Sequence, residues 1–378
     1  MSRTMSRTKK RRRIATVAAA VAVVAGLWGG SPAGANDDGP KVVASGLNNP
    51  RQLAFSPGGA LYVAEAGLGG SGPCQTGELG EVCFGLTGSV AKVGQHGVTR
   101  VVQGLPSVGG GDVIGPSDIT FTGNHRFALS IGLGGSPAYR AGFGADAALL
   151  GTVVTGDLRH PKAGVSRVFD VAGYEQKANP DGTDVDSNAV GLARKGNGFV
   201  VADAGGNDVV STRHGGSTVG VLPPVPTTKP AQAPDGSMLP AGFPADAVPT
   251  DVVKGPDGAW YVSQLVGFPF EAGSSTIWRI VPGHQPKAYA TGLTNVTSLA
   301  FDGHGRLYAV ELFSAGLFSG SPGDLVAVKP WSSSHRVVAG GLPTPYGVAI
   351  RGDSAYVTTC STFCPPGAGA VMKVSLHH

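Results

Sequence analysis

The sequence predicts an all-β fold, a six-bladed β-propeller closed by the N-terminal strand completing the last blade. Three observations support this prediction. A two-strand pattern recurs six times, the 378 residues include 61 glycines and 28 prolines spread between short apolar runs, and amphipathic helical periodicity is essentially absent after residue 40. Frequent turn formers between short apolar runs are typical of many short strands.

The repeat consists of a short apolar strand, a turn containing Gly or Asp, and a second strand that ends in a polar or acidic residue. It first reads PRQLAF-SPGG-ALYVAE, from Pro50 to Glu65. Further copies begin at Pro116, Ala189, Pro249, Val296 and Pro345. Two more strand-like runs follow each copy, so one unit of four strands takes about 50 residues. The alternative, a β-sandwich or two such domains, would explain neither the six copies nor the displaced N-terminal strand.

The last unit lacks a fourth strand, because the chain ends soon after residues 371–376. A spare strand lies at the other end, at residues 41–45, and Gly46-Leu47 follows it. The same Gly-Leu ending closes the fourth strand of three other units. We therefore expect the N-terminal strand to complete the last blade, since closure removes open sheet edges.

The first 35 residues are predicted to be a signal peptide, and residues 36–378 to form the propeller. A basic segment at 9–13 precedes an apolar run at 14–27, and Ala33-Gly34-Ala35 supplies a cleavage site. The run is too short for a membrane span, which needs about 20 residues. The mature protein is thus predicted to be secreted, with no stable membrane insertion.

The positive charge of the chain resides in this leader. Seven Lys and Arg residues and no acid precede Asn36, so their removal takes the net charge from +4 to −3. A mature protein of this charge gives no reason to expect nucleic-acid binding.

Four cysteines suit an exported protein. Cys74 and Cys83 lie in one glycine-rich loop, and Cys360 and Cys364 lie in another. Local disulfides, Cys74–Cys83 and Cys360–Cys364, are the preferred interpretation. Free thiols and pairing between the loops stay open, whereas the spacing argues against a zinc site.

One face of the propeller is predicted to be elaborated. Connections between second and third strands, and between blades, emerge on the same face, and all the long loops belong to these classes: 66–87, 131–164, 173–187, 222–248 and 313–323. Functional loops on a rigid scaffold are a common arrangement. Polar strand ends should ring the channel mouth on this face, and we expect the following to bind a ligand: Arg51, Glu65, Asp118, Asn188, Asp203, Asp251, Gln264 and Glu311. For each carboxylate, satisfying a neighbouring backbone amide is the alternative role.

The acidic segment 179–188 resembles the start of a calcium loop, with Asp184, Asp186 and Asn188 alternating. It is not an EF-hand, because Ala189 and Lys195 stand where Gly and Glu are required. A looser calcium site and simple Asx-turns both stay open. The sequence contains no H-E-x-x-H and no G-x-S-x-G motif, which argues against a zincin and a nucleophile elbow.

Several strings in order resemble the ScyD/ScyE family: GLNNPRQLAFSPGGALYVAE at Gly46, GPSDITF at Gly115, IGLGGSP at Ile131, YEQKANPDG at Tyr174, VADAGGNDVV at Val201 and QLVGFPF at Gln264. The likeness covers the whole mature chain. It implies a six-bladed propeller related to the NHL and TolB-like groups and an exported protein, and it implies no particular reaction.

The sequence therefore leaves two alternative predictions of function. The first is a non-catalytic, monomeric module that binds a small polar ligand or a protein partner at the elaborated face. The alternative is a metal-dependent hydrolase or lactonase of the gluconolactonase type. The likeness to gluconolactonases implies that Glu65, Asn188 and Asp203 would hold one divalent cation such as calcium.

Overall fold

The structure, a computed structural model, describes residues 39–376 apart from 78–79, 234–235 and 318. In that part of the chain the fold is all-β, with short helices among many antiparallel strands. None of the described helices is long and apolar enough to cross a membrane. The predicted signal peptide, residues 1–35, lies outside the described residues.

The first strand, β1 (Lys41–Leu47), is set apart from the sheet that follows it in sequence. Sheet one has a two-strand hairpin inside its second-to-third connection, so the predicted loop 66–87 is partly strand. Its strands are Pro50–Phe55 (β2), Leu61–Glu65 (β3), Cys74–Gly77 (β4), Gly80–Gly94 (β5) and Gly97–Gly109 (β6).

The second predicted loop, 131–164, is also partly strand, because it contains the third strand of sheet two. Its strands are Pro116–Phe121 (β7), Arg126–Ile131 (β8), Thr152–Asp157 (β9) and Val165–Asp170 (β10). Helix α1 (Pro137–Ala141) lies between β8 and β9, and helix α2 (Val171–Ala178) follows β10. Short 3-10 turns occupy Ala145–Ala147, Pro161–Ala163 and Arg213–Gly215.

Sheet three consists of Ala189–Lys195 (β11), Gly198–Asp203 (β12), Asp208–Ser211 (β13) and Ser217–Val221 (β14). The long connection after it, 222–248, carries two small two-stranded sheets. These are formed by Val225–Pro226 (β15), Ala231–Gln232 (β16), Met238–Leu239 (β17) and Pro244–Ala245 (β18).

The last three sheets repeat the same four-strand order. Sheet four is Pro249–Lys254 (β19), Trp260–Gln264 (β20), Ser275–Ile280 (β21) and Lys287–Leu293 (β22). Sheet five is Val296–Phe301 (β23), Leu307–Glu311 (β24), Gly323–Ala327 (β25) and Arg336–Leu342 (β26). Sheet six is Val348–Arg351 (β27), Ser354–Thr359 (β28), Gly369–Ser375 (β29) and, at its outer edge, β1.

The pairing predicted for the N-terminal strand is confirmed. Strand β1 runs antiparallel to β29, with Lys41 opposite Lys373 and Leu47 opposite Gly369. The first and last described strands of the chain therefore share one sheet, and the backbone groups of β29 are paired on both sides.

Hydrophobic residues of neighbouring sheets pack against each other. Ala128 and Val153 of sheet two share a buried cluster with Val201 of sheet three. Tyr308 of sheet five is fully buried in a cluster with Val357 of sheet six. The core thus lies between sheets, as expected where each sheet can bury its two faces only against its neighbours.

Side-chain hydrogen bonds link the start of a first strand, or the end of the second strand beside it (Ser130 in β8, Thr358 in β28), to the start of the repeat in the next sheet. The bonds are Ser130 Oγ to Val190 O at 2.8 Å, Thr250 Oγ1 to Val296 O at 2.6 Å, Thr297 Oγ1 to Tyr346 O at 2.7 Å and Thr358 Oγ1 to Arg51 O at 2.8 Å. Since equivalent positions meet, the first strands point the same way. The second-to-third connections and the sheet-to-sheet connections therefore emerge on one side, here called the loop face.

Candidate functional site

The third residue of each repeat copy lies against the first strand of another sheet. Asp118 Oδ1 accepts a hydrogen bond from Ile119 N, and Oδ2 accepts one from Leu192 N in sheet three, both at 2.6 Å. Asp251 repeats this arrangement one sheet pair further on, with Leu299 N of sheet five as its donor at 2.8 Å. Both carboxylates are buried, and each serves to join two sheets.

Asp118 and Asp251 also influence each other. Burial raises the pKa of Asp251 to about 6. Burial and the charge of Asp251 raise the pKa of Asp118 well above its usual range. The structure therefore brings these two predicted site residues together as a buried carboxyl pair.

The other sheets place small or amide side chains at the same position. Ser298 Oγ donates to Gln52 Oε1 at 2.7 Å, and Gln52 Nε2 donates to Thr297 O at 3.0 Å. Sheets three and six have Gly191 and Gly347, and a methyl group at Gly191 would lie 2.6 Å from the Asp251 Cα. Such close backbone approach requires glycine. The polar groups at this level are thus engaged with one another.

Arg51 lies nearer the loop face and is also paired. Its guanidinium donates to Asp112 Oδ1 at 2.9 Å and to Val113 O at 2.5 Å, and its Cζ stands 4.7 Å from the Tyr346 ring centroid. Thr362, inside the Cys360–Cys364 loop, donates to the same Asp112 oxygen at 2.6 Å. The sequence analysis missed Asp112 and Thr362, because neither belongs to the repeat.

The acidic residues at the ends of three second strands share one role. Each accepts a backbone N–H from the segment that leads into its own first strand: Glu65 from Asn48 at 2.7 Å, Asp203 from Asn188 at 2.5 Å and Glu311 from Thr294 at 2.7 Å. This is the amide-satisfying role that the sequence left open for each carboxylate. Sheet four has Gln264 there, whose Oε1 accepts from Trp278 Nε1 at 3.0 Å.

The three carboxylates differ in their remaining partners. Glu65 pairs with Arg100 at 2.8 Å and accepts from Ser89 Oγ at 2.5 Å. Burial and the charge of Asp324 raise the pKa of Glu311 to about 7. Asp203 accepts from Ser187 Oγ at 2.7 Å, and burial raises its pKa.

Of the predicted metal ligands, Asn188 and Asp203 are joined by the Asn188 backbone N–H, whereas Glu65 lies in a separate hydrogen-bond network. Glu65 is held in sheet one by Arg100. The Asn188 side-chain oxygen accepts from Leu133 N at 3.1 Å, on the sheet-two side. No hydrogen bond among the described residues joins the side chains of Glu65 and Asp203.

Both predicted disulfides are confirmed, Cys74–Cys83 and Cys360–Cys364. Cys74 and Cys83 lie directly opposite each other in β4 and β5. Their sulfur atoms and a Glu81 oxygen lie within 4.8 Å of one another. Disulfide sulfur is not the thiolate that binds metal, so this group is no metal centre.

A second acidic group, near α2, was not predicted. Glu175 and Asp208 are buried, and neither carboxylate has a hydrogen-bond partner among the described residues. Burial is the main cause that raises the pKa of Glu175 to about 8, and nearby Asp203, Asp181 and Asp186 add to the effect. The quoted motifs YEQKANPDG and VADAGGNDVV contain both residues, but the sequence did not show that they meet.

A groove of about 1120 Å³ opens away from the loop face, between sheets two and three. Several basic side chains line it, among them Arg126, His160, Arg194, Arg213 and His214. The sequence analysis assigned no role to this side of the molecule.

No family model and no curated protein matches the chain. Solved structures are similar to it. A glucose dehydrogenase is 15% identical over 89% of this chain and 99% of its own, with a TM-score of 0.50. Virginiamycin B lyase from Staphylococcus aureus is 9% identical over 88% and 97%, with a TM-score of 0.42, and a chain of a nidogen/laminin complex is 12% identical over 77% and 95%, with a TM-score of 0.45. These neighbours are β-propeller proteins of the NHL and PQQ types, and the likeness to the glucose dehydrogenase shows the fold alone.

Proposed function

We propose that the mature chain is a secreted, monomeric six-bladed β-propeller that binds a protein partner through its loop face without catalysis. Sheets one to six are the six blades in this proposal, and the pairing of β1 with β29 closes the ring. The resemblance to the ScyD/ScyE family supports both export and the blade count. The disulfides are compatible with an extracellular location.

The observation that carries the proposal is that the loop face presents exposed apolar side chains, while the polar strand ends predicted to bind a ligand are engaged inside the fold. Four large apolar side chains, three in its connections and one (Leu86) in the part of β5 nearest them, are exposed: Leu68 at 39%, Leu86 at 49%, Met238 at 64% and Phe363 at 42%. Exposed apolar side chains on ordered loops favour a macromolecular partner. The carboxylates predicted to ring the channel are instead bound to internal donors.

The alternative, a metal-dependent hydrolase, is less well supported. Its proposed ligand Glu65 is neutralised by Arg100 and tied to Ser89. A carboxylate already paired with a guanidinium is a poor ligand for a divalent cation, because the cation would have to displace that pair.

The test is cross-linking of the purified mature protein to the exported and surface proteins of cells that make it, followed by binding of the identified partner. A variant with Leu68, Leu86, Met238 and Phe363 all changed to Ser should bind that partner at least tenfold more weakly. The matched control changes two exposed residues away from the loop face, Trp331→Ser and Val337→Ser, and should bind like the wild type. Equal binding by the loop-face variant, or metal-dependent lactone hydrolysis by the wild type, would overturn the proposal.

A further inference from the structure

Two buried carboxylates beside sheet three have no described donor or cation to offset their charge. Glu175, in α2, is 1% exposed, and Asp208, the first residue of β13, is 0% exposed. All four of their carboxylate oxygens lack a hydrogen-bond partner among the described residues. Burying an ionised carboxylate in this way is strongly unfavourable unless a partner compensates it.

The two carboxylates converge on the same turn. Asp203 and Asp208 lie directly opposite each other in β12 and β13, so their side chains project from the same face of the sheet. Glu175 approaches from α2, since a methyl group at Gly206 would lie 3.0 Å from Glu175 Oε2 and 3.5 Å from Asp203 Cγ. Three acidic side chains therefore surround the turn at residues 204–207.

The charges around this turn are of one sign. The neighbours that affect the pKa of Asp208 are Asp203, Glu175 and Asp181, and burial and these carboxylates raise it well above its usual range. Among the described residues, no ion pair includes Glu175, Asp203 or Asp208. Like charges directly opposite on paired strands destabilise a sheet, so the fold gains if a cation lies between them.

A neutral oxygen is available close by in the chain. Asn179 ends α2 in the left-handed conformation, with φ of 37°. Its Nδ2 donates to Thr183 O at 2.8 Å, while its Oδ1 is buried with no described partner. Carboxylate and amide oxygens together are the ligand set of a hard cation.

We propose that Glu175 and Asp208 bind one Ca²⁺ at the turn 204–207, with Asp203 and the Asn179 side-chain oxygen as further oxygen donors. Calcium takes six to eight oxygen ligands in flexible geometry, whereas magnesium demands a small octahedral site and retains its waters. The carboxylates do not meet within the 4.8 Å that would mark a preformed site, so side-chain movement must close it. The site goes beyond partner binding and would fasten α2 and the connection 179–188 to the turn of sheet three.

Calcium binding is tested on the chelator-treated mature protein at pH 7.5, with CaCl₂ and MgCl₂ as separate probes. Calorimetry should show saturable binding of one Ca²⁺ per chain. The Tm should rise by about 4 °C at a hundredfold excess of CaCl₂ over Kd, for a chain of this length. Glu175→Gln and Asp208→Asn should each weaken the Ca²⁺ affinity at least tenfold while keeping the far-UV spectrum.

The matched control is Glu311→Gln, which changes a buried carboxylate of sheet five and should bind Ca²⁺ like the wild type. If either Glu175→Gln or Asp208→Asn fails to fold, the other variant and the wild-type titration still test Ca²⁺ binding at this turn. A wild type that shows neither heat nor a Tm change with CaCl₂ would overturn the proposal. So would tighter binding of Mg²⁺ than Ca²⁺, or unchanged Ca²⁺ affinity in both variants.

Discussion

Sheets one and three place a buried carboxylate at the same position and surround it differently. In sheet one, Glu65 lies opposite Ser89, whose hydroxyl donates to it, and Arg100 supplies a positive charge. In sheet three, Asp203 lies opposite Asp208, a second carboxylate. Each of Glu65 and Asp203 still accepts the backbone N–H that precedes its own first strand.

The acidic end of the second strand is a structural feature of the repeat, whereas Asp208 and Glu175 are additions at sheet three. Tying the second strand to the incoming chain needs one acceptor, and sheets one, three and five all supply it. That task does not explain Asp208 or Glu175, which add negative charge where sheet one adds positive charge. An excess of buried charge that folding does not need is a reasonable sign of ligand binding.

The largest change in folding stability is expected from a substitution in sheet one. Glu65→Gln should destabilise the protein by about 3 kcal/mol at pH 7, because it leaves Arg100 without its carboxylate and weakens a buried hydrogen-bond network. Urea unfolding measures the loss. The double variant Glu65→Gln/Arg100→Gln should recover part of it, and a Glu65→Gln protein as stable as the wild type would show that the ion pair contributes nothing.

An intermediate change in folding stability is expected in sheet five, where the Glu311 carboxylate accepts a backbone N–H but has no cation beside it among the described residues. The pKa of Glu311 is raised from 4.5 to about 7, so the folded state holds its proton more tightly than the unfolded state. Stability from this group is full below about pH 4.5 and is lost as the pH rises towards 7.

Glu311→Gln should remove that pH dependence and make the protein more stable than the wild type at pH 8 by about 2 kcal/mol. The Gln side-chain oxygen can still accept from Thr294 N. Urea unfolding at pH 4.5, 6, 7 and 8 checks this, and parallel pH profiles for the two proteins would contradict it.

Much of this architecture follows from periodicity in the sequence. The strand pairs of all six copies, the pairing of residues 41–45 with the last strand and both disulfides were predicted, because each depends on local spacing or on a repeated ending. The repeat also located the acidic ends of the second strands. It left open whether they bind a ligand or a backbone amide, since a period gives a position in the chain and not a side-chain partner.

What the sequence did not reveal depends on contacts between distant segments. Asp112 meets Arg51 and Thr362 through connections that no repeat covers. Glu175 lies in a helix where no helical periodicity was recognised, and its approach to Gly206 joins α2 to a turn about 30 residues later. Strand β9 lies in a segment predicted to be loop, because the glycine-rich residues before it hide the start of the strand.

The smallest change in stability is expected when Asp208 of sheet three is replaced by serine, the residue (Ser89) that sheet one has at the equivalent position. Asp208→Ser should stabilise the protein by about 1 kcal/mol in EDTA at pH 8, opposite in sign to Glu65→Gln. It removes a like charge facing Asp203, and its hydroxyl can donate to Asp203 as Ser89 does to Glu65. Urea unfolding in EDTA is the measurement. Asp184→Ser, in the acidic connection 179–188 and exposed, serves as control and should stay within about 0.5 kcal/mol of the wild type. A loss of stability on Asp208→Ser in EDTA would mean that Asp208 supports the fold without a cation, and the contrast between the two sheets would then lie in packing and not in charge.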